Sequence, residues 1–278
     1  MIWWLLLVVA FLAYANGAND NFKGVATLFG SRTTDYRKAL WWATATTLAG
    51  SCAAVLLSGG LVKAFSGYGL VPDVLTHDLH FLLAVGLGAA LTVMLATVTG
   101  FPISTTHALT GSLVGAGLTA VGAVNAGQLG QSFFMPLAIS PFVSFAATAA
   151  LYPVLRFARV SLGIERQMCL CVDGGVPQAV AVRPDGTAVL QATGISLSVG
   201  QLQACTERYS GRIIGIDAQR ILDRLHFLSA GAVSFARGLN DTPKIVALLI
   251  AAHALRIPLS NSLIAIGLAM AIGGLLNA

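Results

Sequence analysis

Two segments of the chain share the pattern Gly-x-Asn-Asp-x-x-Lys, which combines groups that bind ions. The pattern occupies residues 17–23 and 238–244. At the offset of 221 residues between them, eight of fourteen positions are identical over 15–28 and 236–249. Matches among Ala, Val and Leu are common in an apolar sequence, whereas the shared Gly, Asn, Asp and Lys are not. Carboxylate and amide oxygens can bind a cation, and an ammonium group can bind an anion or pair with the carboxylate beside it. These segments are therefore the first candidates for a site.

The two carboxylates of this pattern, Asp20 and Asp241, have an unusual placement. The chain has eleven acidic residues, and the other nine fall in expected loops or in one polar stretch. A carboxylate at membrane depth costs several kcal/mol unless it is paired or faces water, so it indicates a functional site. A polar pair that only packs two helices together is the structural alternative.

Each carboxylate is followed three residues later by a lysine, Lys23 or Lys244. On a helix this spacing puts both side chains on one face, within reach of each other. Two interpretations stay open: each lysine neutralises its carboxylate, or its ammonium group also faces a bound anion such as phosphate. Pro243 and the neighbouring glycines predict that both helices are broken here, which would free backbone N–H and C=O groups to bind ions.

A second candidate group is the run Ser104-Thr105-Thr106-His107, which follows Gly100-Phe101-Pro102-Ile103. Pro102 favours a helix start just after it. Exposed N–H groups and three hydroxyl groups would then form a set of donors for an oxyanion, and the helix dipole would add a favourable potential. Ser and Thr also cap helices, and this alternative stays open. His107 is a candidate proton carrier or anion contact, although a packed histidine is the simplest interpretation.

The composition limits where such residues can lie. Of the 278 residues, 56% are hydrophobic and 10% are charged, and the mean hydropathy is +0.80. An average soluble domain carries about 25% charged residues, so this chain cannot cover a soluble surface with polar groups. The composition excludes an ordinary cytosolic enzyme, a disordered protein and a fibrous protein, and it predicts a polytopic membrane protein. The net charge of +5 fits Lys- and Arg-rich cytoplasmic loops and, without a basic run, does not indicate nucleic-acid binding.

Seven segments have the length and apolarity of membrane-spanning helices, which need about 20 residues. They are 2–28, 39–58, 81–98, 103–124, 133–155, 226–253 and 260–277. The third and fourth meet at a Gly/Pro break, where a re-entrant hairpin is expected. The first and sixth carry the repeated pattern in their middle.

Basic residues predict the orientation, because Lys and Arg collect on the cytoplasmic side. Three of them follow the first span closely, and eight arginines follow the fifth span. We therefore expect a multi-pass protein of the plasma (inner) membrane with its N-terminus outside. The expected domains are a first transmembrane repeat at 1–155, a cytoplasmic insert at 156–225 and an incomplete second repeat at 226–278. The apolar N-terminal segment is expected to stay in the mature protein, because no basic residue precedes it as in a signal peptide.

The insert alone has the composition of a soluble segment. Alternating residues at 179–182 and 188–190 flank the turn Arg183-Pro184-Asp185-Gly186, which predicts a β-hairpin in a small α+β subdomain. A connecting segment without chemistry is the simpler interpretation, and a regulatory role is the other.

The repeated pattern also predicts the fold class. Its copies lie in the first and sixth spans, so they would cross the membrane in opposite directions. Repeats of opposite topology with interrupted helices are typical of secondary transporters, whose sites lie near the midplane. We therefore expect an all-α polytopic membrane protein, an inverted-repeat transporter with broken helices and a re-entrant hairpin, with the small cytoplasmic insert added.

Three motifs, in this order and spacing, resemble those of the inorganic phosphate transporter family, the low-affinity phosphate permeases. They are Gly17-Ala18-Asn19-Asp20, Pro102-Ile103-Ser104-Thr105-Thr106-His107 and Gly238-Leu239-Asn240-Asp241. The resemblance covers most of the chain apart from the insert, and it implies symport of phosphate with sodium or protons through two inverted repeats. It further implies a cation site, with sodium at the carboxylates, formed by Asn19, Asp20, Asn240 and Asp241. It implies that the anion contacts Ser104, Thr105 and Thr106.

Two features depart from the family's pattern. Lys23 stands where the family usually has a small or neutral residue after the first Asn-Asp. A fixed cation beside Asp20 would weaken a sodium site, replace a sodium charge, or favour a proton or another oxyanion. The family's second Pro-x-Ser-Thr-Thr-His segment would lie near position 323 by the same offset, which is beyond residue 278. The expectation is a shortened second repeat or a hairpin supplied from elsewhere.

These observations predict a secondary active transporter that imports inorganic phosphate by cation symport, with sodium or a proton as coupling ion and no other cofactor. Lys23 and Lys244 join the three hydroxyl residues as candidate phosphate ligands. A permease for another oxyanion such as sulfate is one alternative, and a non-transporting membrane scaffold or sensor is an alternative of another class. An enzyme is not expected, because no nucleophile–base pair or metal-ligand set appears. The expected partners are phosphate and the lipid bilayer, without nucleic acid, and a homodimer stays open.

Overall fold

The computed structural model describes residues 1–57, 59–167, 171–173, 178–182, 188–191, 196–198, 208–210, 212–213, 216–252 and 258–277. They form two units. The first contains Met1–Tyr152 and Asp223–Ala278, and the second is Pro153–Leu222. The second unit starts and ends three residues before the expected insert at 156–225.

The first unit is helical, and two of its helices continue along the chain into residues of the second unit. They are α1 (Ile2–Asp20), α2 (Ala26–Gly30), α3 (Tyr36–Leu57), α4 (Gly59–Phe65), α5 (Asp73–Thr76), α6 (Leu79–Thr99), α7 (Thr105–Val121), α8 (Ala126–Leu129), α9 (Met135–Ser161), α10 (Ala218–Ala251) and α11 (Leu259–Asn277). A 3-10 turn, Asn21–Gly24, links α1 to α2, and a π-helical turn, Gly130–Phe134, links α8 to α9. The chain is therefore mostly helical, as an all-α membrane transporter would be.

Five helical segments among the described residues are long and apolar enough to cross a membrane, judged by length and composition alone. They are Ile2–Gly24, Tyr36–Leu57, Leu79–Thr99, Ala126–Ser161 and Leu259–Leu276. The other two expected spans correspond to α7, which has 17 residues, and α10. Helix α10 carries Arg237, Asp241 and Lys244 in its second half, which lowers its apolar character.

Helix α1 occupies the centre of the first unit, where it packs against α6 and α11. Its side chains Leu5, Val9 and Leu12 are fully buried against a core that includes Leu82 of α6 and Leu263 of α11. Helix α3 packs on α11, and α6 packs on α7. Large apolar side chains on the outer surfaces remain exposed, as they must be where a helix faces lipid.

Glycines allow α1 and α11 to approach backbone to backbone. A Cβ atom at Gly17 of α1 would collide with the carbonyl oxygen of Met270 in α11. In the same interface, a Cβ atom at Gly273 of α11 would collide with the carbonyl oxygen of Tyr14 in α1. Small residues at these positions therefore permit the close packing that membrane helices use in place of a hydrophobic driving force.

The pair α3 and α10 is packed in the same manner. A Cβ atom at Gly238 of α10 would collide with the carbonyl oxygen of Thr47 in α3, and one at Gly50 of α3 would collide with the carbonyl oxygen of Phe235 in α10. The hydroxyl of Thr47 also donates a hydrogen bond of 3.3 Å to the backbone of α10. Each copy of the repeated pattern thus has a glycine pressed against a neighbouring helix.

The expected helix breaks differ between the two copies. In the first copy, α1 ends at Asp20 and the 3-10 turn Asn21–Gly24 follows, so the span is interrupted as predicted. In the second copy, α10 continues through Pro243, and the prediction of a break there is wrong. A proline removes one intrahelical hydrogen bond, but a helix surrounded by other helices can tolerate the loss.

The second unit contains short antiparallel strand pairs. In chain order the strands are β1 (Glu165–Gln167), β2 (Cys171–Asp173), β3 (Gln178–Val182), β4 (Ala188–Gln191), β5 (Ser196–Ser198), β6 (Arg208–Ser210), β7 (Arg212–Ile213) and β8 (Ile216–Asp217). The pairs are β1 with β6, β2 with β5, β3 with β4 and β7 with β8. The expected hairpin strands pair as β3 and β4, with Val182 opposite Ala188, while the turn at 183–186 lies outside the described residues.

Candidate functional site

A cavity of about 600 Å³ lies where the two copies of the repeated pattern meet the segment that precedes α7. Its walls come from the end of α1, from the start of α7 and from one face of α10. The lining residues are Asp20, Ile103, Ser104, Thr105, Thr106, Val233, Ala236, Arg237, Asn240 and Asp241.

The segment between α6 and α7 is shaped by Gly100. This residue ends α6 in the left-handed conformation, with φ at 75°, which a glycine adopts without strain. The N–H of Phe101 then donates to the carbonyl of Ala96 at 2.8 Å, which closes the helix end. Ser104 has an extended backbone, and α7 begins at Thr105. The three hydroxyl residues therefore lie at the N-terminus of α7, where they line the cavity.

The three hydroxyl residues have different surroundings. Ser104 occupies the N-cap position of α7 but makes no side-chain capping bond, so the capping interpretation does not explain it. Thr105 is buried, and its hydroxyl donates to Oδ1 of Asn16. The hydroxyl of Thr106 accepts a hydrogen bond of 2.7 Å from Nζ of Lys244. All three residues line the cavity.

Asp20 joins the two copies of the repeat. Its Oδ1 atom lies 2.5 Å from Nζ of Lys23, on the turn that follows α1. The same oxygen lies 3.1 Å from a guanidinium nitrogen of Arg237 on α10. Because Asp20 is 7% exposed, these two cations supply most of the compensation that its buried charge needs.

Asn19 fixes the end of α1 to the end of α6. Its Nδ2 atom donates to Oγ1 of Thr97 at 3.1 Å and to the carbonyl of Phe101 at 3.3 Å. Its Oδ1 atom accepts from Nζ of Lys23 at 2.5 Å. Its counterpart in the other copy, Asn240, is exposed and lines the cavity.

The second carboxylate forms a more deeply buried pair. Nζ of Lys244 lies 3.1 Å from Oδ1 of Asp241, and the two residues are 4% and 8% exposed. The ammonium group also lies 5.6 Å from the centre of the Phe65 ring, a favourable position over an aromatic face. Lys244 therefore connects Asp241 to Thr106 and to the helix that contains Phe65.

The charges around the cavity do not balance among the described residues. Three cations, Lys23, Arg237 and Lys244, contact two carboxylates, Asp20 and Asp241. One positive charge remains in excess in a partly buried site, where charges are screened less than in water. The arrangement can therefore bind an anion through charge and hydroxyl donors together.

The structure brings most of the predicted residues to one place. Asp20, Asn240, Asp241 and the three hydroxyl residues line the cavity. Lys23 and Lys244 contact lining residues, and Asn19 contacts Lys23. His107 is the exception, because it is exposed and is not among the lining residues. The expectation of a packed histidine is wrong, since α7 buries the face that contains Thr105, Ala108 and Leu109 and position 107 points away from it.

Two residues that bring polar side chains to the site were not predicted. Arg237 lines the cavity, and Asn16 receives the hydroxyl of Thr105. They occupy equivalent positions in the two copies, one residue before the shared glycine. An arginine inside an apolar span, four residues before Asp241, was the signal available for Arg237.

A model of the phosphate transporter family matches residues 16–278. A Chlamydia pneumoniae protein named a phosphate permease is 30% identical over 160 residues, which cover 55% of this chain and 35% of that protein. A Rhizobium meliloti protein named a low-affinity inorganic phosphate transporter is 33% identical over 119 residues, which cover 42% of this chain and 34% of that protein. The chain thus matches about a third of the length of these relatives.

The fold is similar to that of a solved structure titled as the sodium-dependent phosphate transporter. The TM-score is 0.56 at 18% sequence identity. The similarity covers 99% of this chain and 75% of the other. At 18% identity this similarity is evidence for the fold alone.

Proposed function

The chain belongs to the phosphate transporter family, and we propose that it carries inorganic phosphate across a membrane, with the cavity beside Asp20 and Asp241 as the binding site. Family and apolar helices together identify an integral membrane protein. The observation that carries the proposal is the excess of one positive charge beside three hydroxyl residues at a helix N-terminus. These groups are the ones that a tetrahedral oxyanion binds.

Arg237 is the strongest candidate contact for the anion. One guanidinium nitrogen is engaged by Asp20, while its buried Nε atom has no hydrogen-bond partner within the described part of the chain. A buried donor without a partner is costly, and because Arg237 lines the cavity, we propose an anion bound there as a further partner for its guanidinium group. Ser104, whose hydroxyl makes no capping bond, faces the same space.

The carboxylates favour phosphate over sulfate. Hydrogen phosphate carries a proton that it can donate, whereas sulfate at neutral pH only accepts hydrogen bonds. Asp20 and Asp241 line the cavity with carboxylate oxygens, which accept and never donate when ionised. Sulfate in the same position would meet these oxygens without a proton between them.

The packing of the two copies supports an inverted repeat as part of the proposal. In each copy the motif glycine meets a backbone carbonyl of the helix that follows the other copy, α11 for the first and α3 for the second. Three residues before the motif glycine, Tyr14 and Phe235 occupy equivalent positions, and each meets a glycine of the same partner helix. This exchange of partners is what a two-fold axis in the membrane plane would produce.

We infer alternating access as the mechanism, with the two copies moving against each other around the cavity. The ion pair between Asp20 and Arg237 links the two copies, so it is the contact that such a motion would strain or release. Cation symport, with sodium or a proton as the coupling ion and import as the direction, is the predicted mode.

Uptake of radiolabelled phosphate by proteoliposomes that contain the full chain tests this function. We expect saturable uptake that unlabelled phosphate suppresses at much lower concentration than sulfate, and loss of uptake in Asp20→Asn. Stronger suppression by sulfate would assign the cavity to that oxyanion instead. If purified protein bound neither anion and Asp20→Asn changed nothing, a scaffold or sensor role would replace the transporter.

A further inference from the structure

The ammonium group of Lys23 occupies a position surrounded by oxygen atoms. It lies 2.5 Å from Oδ1 of Asp20, 2.5 Å from Oδ1 of Asn19 and 3.3 Å from the carbonyl oxygen of Ile103. Carboxylate, amide and backbone carbonyl oxygens are the donors that a hard cation takes from a protein. Here the ammonium group of Lys23, a cation that is part of the chain, contacts one oxygen of each kind.

Lys244 repeats this arrangement at the second carboxylate. Its Nζ atom contacts Asp241 at 3.1 Å and the hydroxyl of Thr106 at 2.7 Å, and the Phe65 ring covers another side. Both lysines follow their carboxylate by three residues, and both reach the segment Ile103–Thr106. The two copies of the repeat thus place an ammonium group at the same point relative to their carboxylates.

A sodium ion does not fit beside these groups. At either carboxylate it would stand within a few ångströms of an ammonium group, and the two positive charges would repel each other in a partly buried site. Lys244 is 4% exposed, so displacing its ammonium group would separate a buried cation from the Asp241 carboxylate. The residues present therefore disagree with a sodium site at Asp20 or Asp241.

We propose that Lys23 and Lys244 act as built-in cations in the places where a coupling sodium ion would bind, so that this chain binds and carries phosphate without sodium. The proposal rests on the proposed function and narrows it. The fixed charges neutralise the carboxylates permanently, and Arg237 then provides the positive charge in excess that attracts the anion. Of the two predicted coupling ions, the proton alone remains compatible with the site.

Two measurements on the purified full chain in detergent test this proposal. The first is the dissociation constant of radiolabelled phosphate in sodium chloride and in choline chloride at equal ionic strength, because salt itself screens the site. We expect the two values to agree within about twofold, and a loss of about tenfold or more in choline, equivalent to about 1.4 kcal/mol, would overturn the proposal. The second is direct binding of radiolabelled sodium, and binding near one ion per chain would also overturn it.

The second measurement also separates the two proposals. If the chain bound no phosphate in either salt, the proposed function would fail, while the sodium measurement would still decide whether the lysines exclude that ion. Absence of sodium binding would then support the built-in cations without a phosphate readout.

Variants of Lys23 provide a further test, because its side chain is 31% exposed and Asp20 keeps Arg237 as a partner. Lys23→Ala is expected to bind sodium and to bind phosphate more tightly in sodium than in choline, whereas Lys23→Arg should remain indifferent to sodium. Lys38→Ala is the matched control, because Lys38 forms an exposed ion pair with the same spacing to Asp35. Lys23→Ala protein that folds, as judged by size-exclusion chromatography, yet ignores sodium would contradict the proposal.

Discussion

Arg237→Met is expected to weaken phosphate binding strongly while it leaves the fold in place. The side chain is 30% exposed, and Asp20 retains Lys23 at 2.5 Å after the substitution. The variant therefore does not leave a buried carboxylate without a partner, which is the usual cause of severe destabilisation. What it removes is the positive charge in excess on a residue that lines the cavity, together with a buried donor that lacks a partner among the described residues.

The magnitude follows from the kind of bond that is lost. A hydrogen bond to a charged group contributes about 1.5–3 kcal/mol. Because each 1.4 kcal/mol is a factor of ten in affinity, the dissociation constant for phosphate should rise about 10- to 150-fold. Arg237→Lys should fall between the parent and Arg237→Met, because an ammonium group keeps the charge but not the planar fork of donors.

Equilibrium binding of radiolabelled phosphate to the purified chain measures this effect, and initial rates of uptake provide a second readout. Arg224→Met is the matched control, since Arg224 is an exposed arginine on the same helix, outside the lining of the cavity. If Arg237→Met bound phosphate as tightly as the parent, or if Arg224→Met lost the same factor, the guanidinium group would not be a substrate contact.

Three further predictions concern stability and are measured by thermal unfolding in detergent. Lys244→Met should destabilise the chain by about 3–5 kcal/mol, because it leaves the buried carboxylate of Asp241 without its lysine partner. The double variant Lys244→Met with Asp241→Asn should recover part of this loss. An equal or larger loss in the double variant would argue against the ion pair. Gly238→Ala should cost about 1–3 kcal/mol, because its methyl group collides with the backbone of α3, whereas Gly111→Ala, which meets nothing within 4 Å, should be neutral or stabilising; equal effects would contradict the close contact. The backbone N–H of Lys38, and after it the Lys38 side chain, donate to the Asp35 carboxylate and lower its pKa below the ordinary value of 3.8. The stabilisation by Asp35 should therefore be complete above pH 3.8 and be lost as the pH falls through the lowered pKa, so that Asp35→Asn differs from the parent at neutral pH and converges with it in acid.

The repeated pattern was sufficient to predict that Asp20 and Asp241 belong to one site. Two carboxylates inside apolar spans must find partners or water, and equivalent positions in the repeats of opposite topology that we propose would bring them to a common depth. The run of hydroxyl residues was predictable for a related reason, since a Pro followed by polar residues between two apolar segments starts a helix inside the protein. These features follow from local composition and from the cost of burying charge.

Tertiary packing decided the features that the sequence did not predict. The interruption in α1 and the continuous path of α10 through Pro243 arise from similar sequences, so local propensity alone cannot distinguish them. The role of Lys23 likewise depends on the carbonyl of Ile103, which comes from a segment 80 residues away in the chain. Such contacts become visible only when the helices are placed against each other.

The divergence between the two copies at one position explains the charge of the cavity. Asn16 and Arg237 are equivalent in the repeat, yet Asn16 accepts the hydroxyl of Thr105 inside the protein and Arg237 pairs with Asp20 at the cavity wall. An asparagine at position 237 would leave two lysines opposite two carboxylates, with no positive charge in excess. An arginine at position 16 would remove the acceptor of the Thr105 hydroxyl and would put a cation in the fully buried place of Asn16. Two identical copies would therefore give either a neutral cavity or one that buries a further cation, and the proposed anion site depends on their difference.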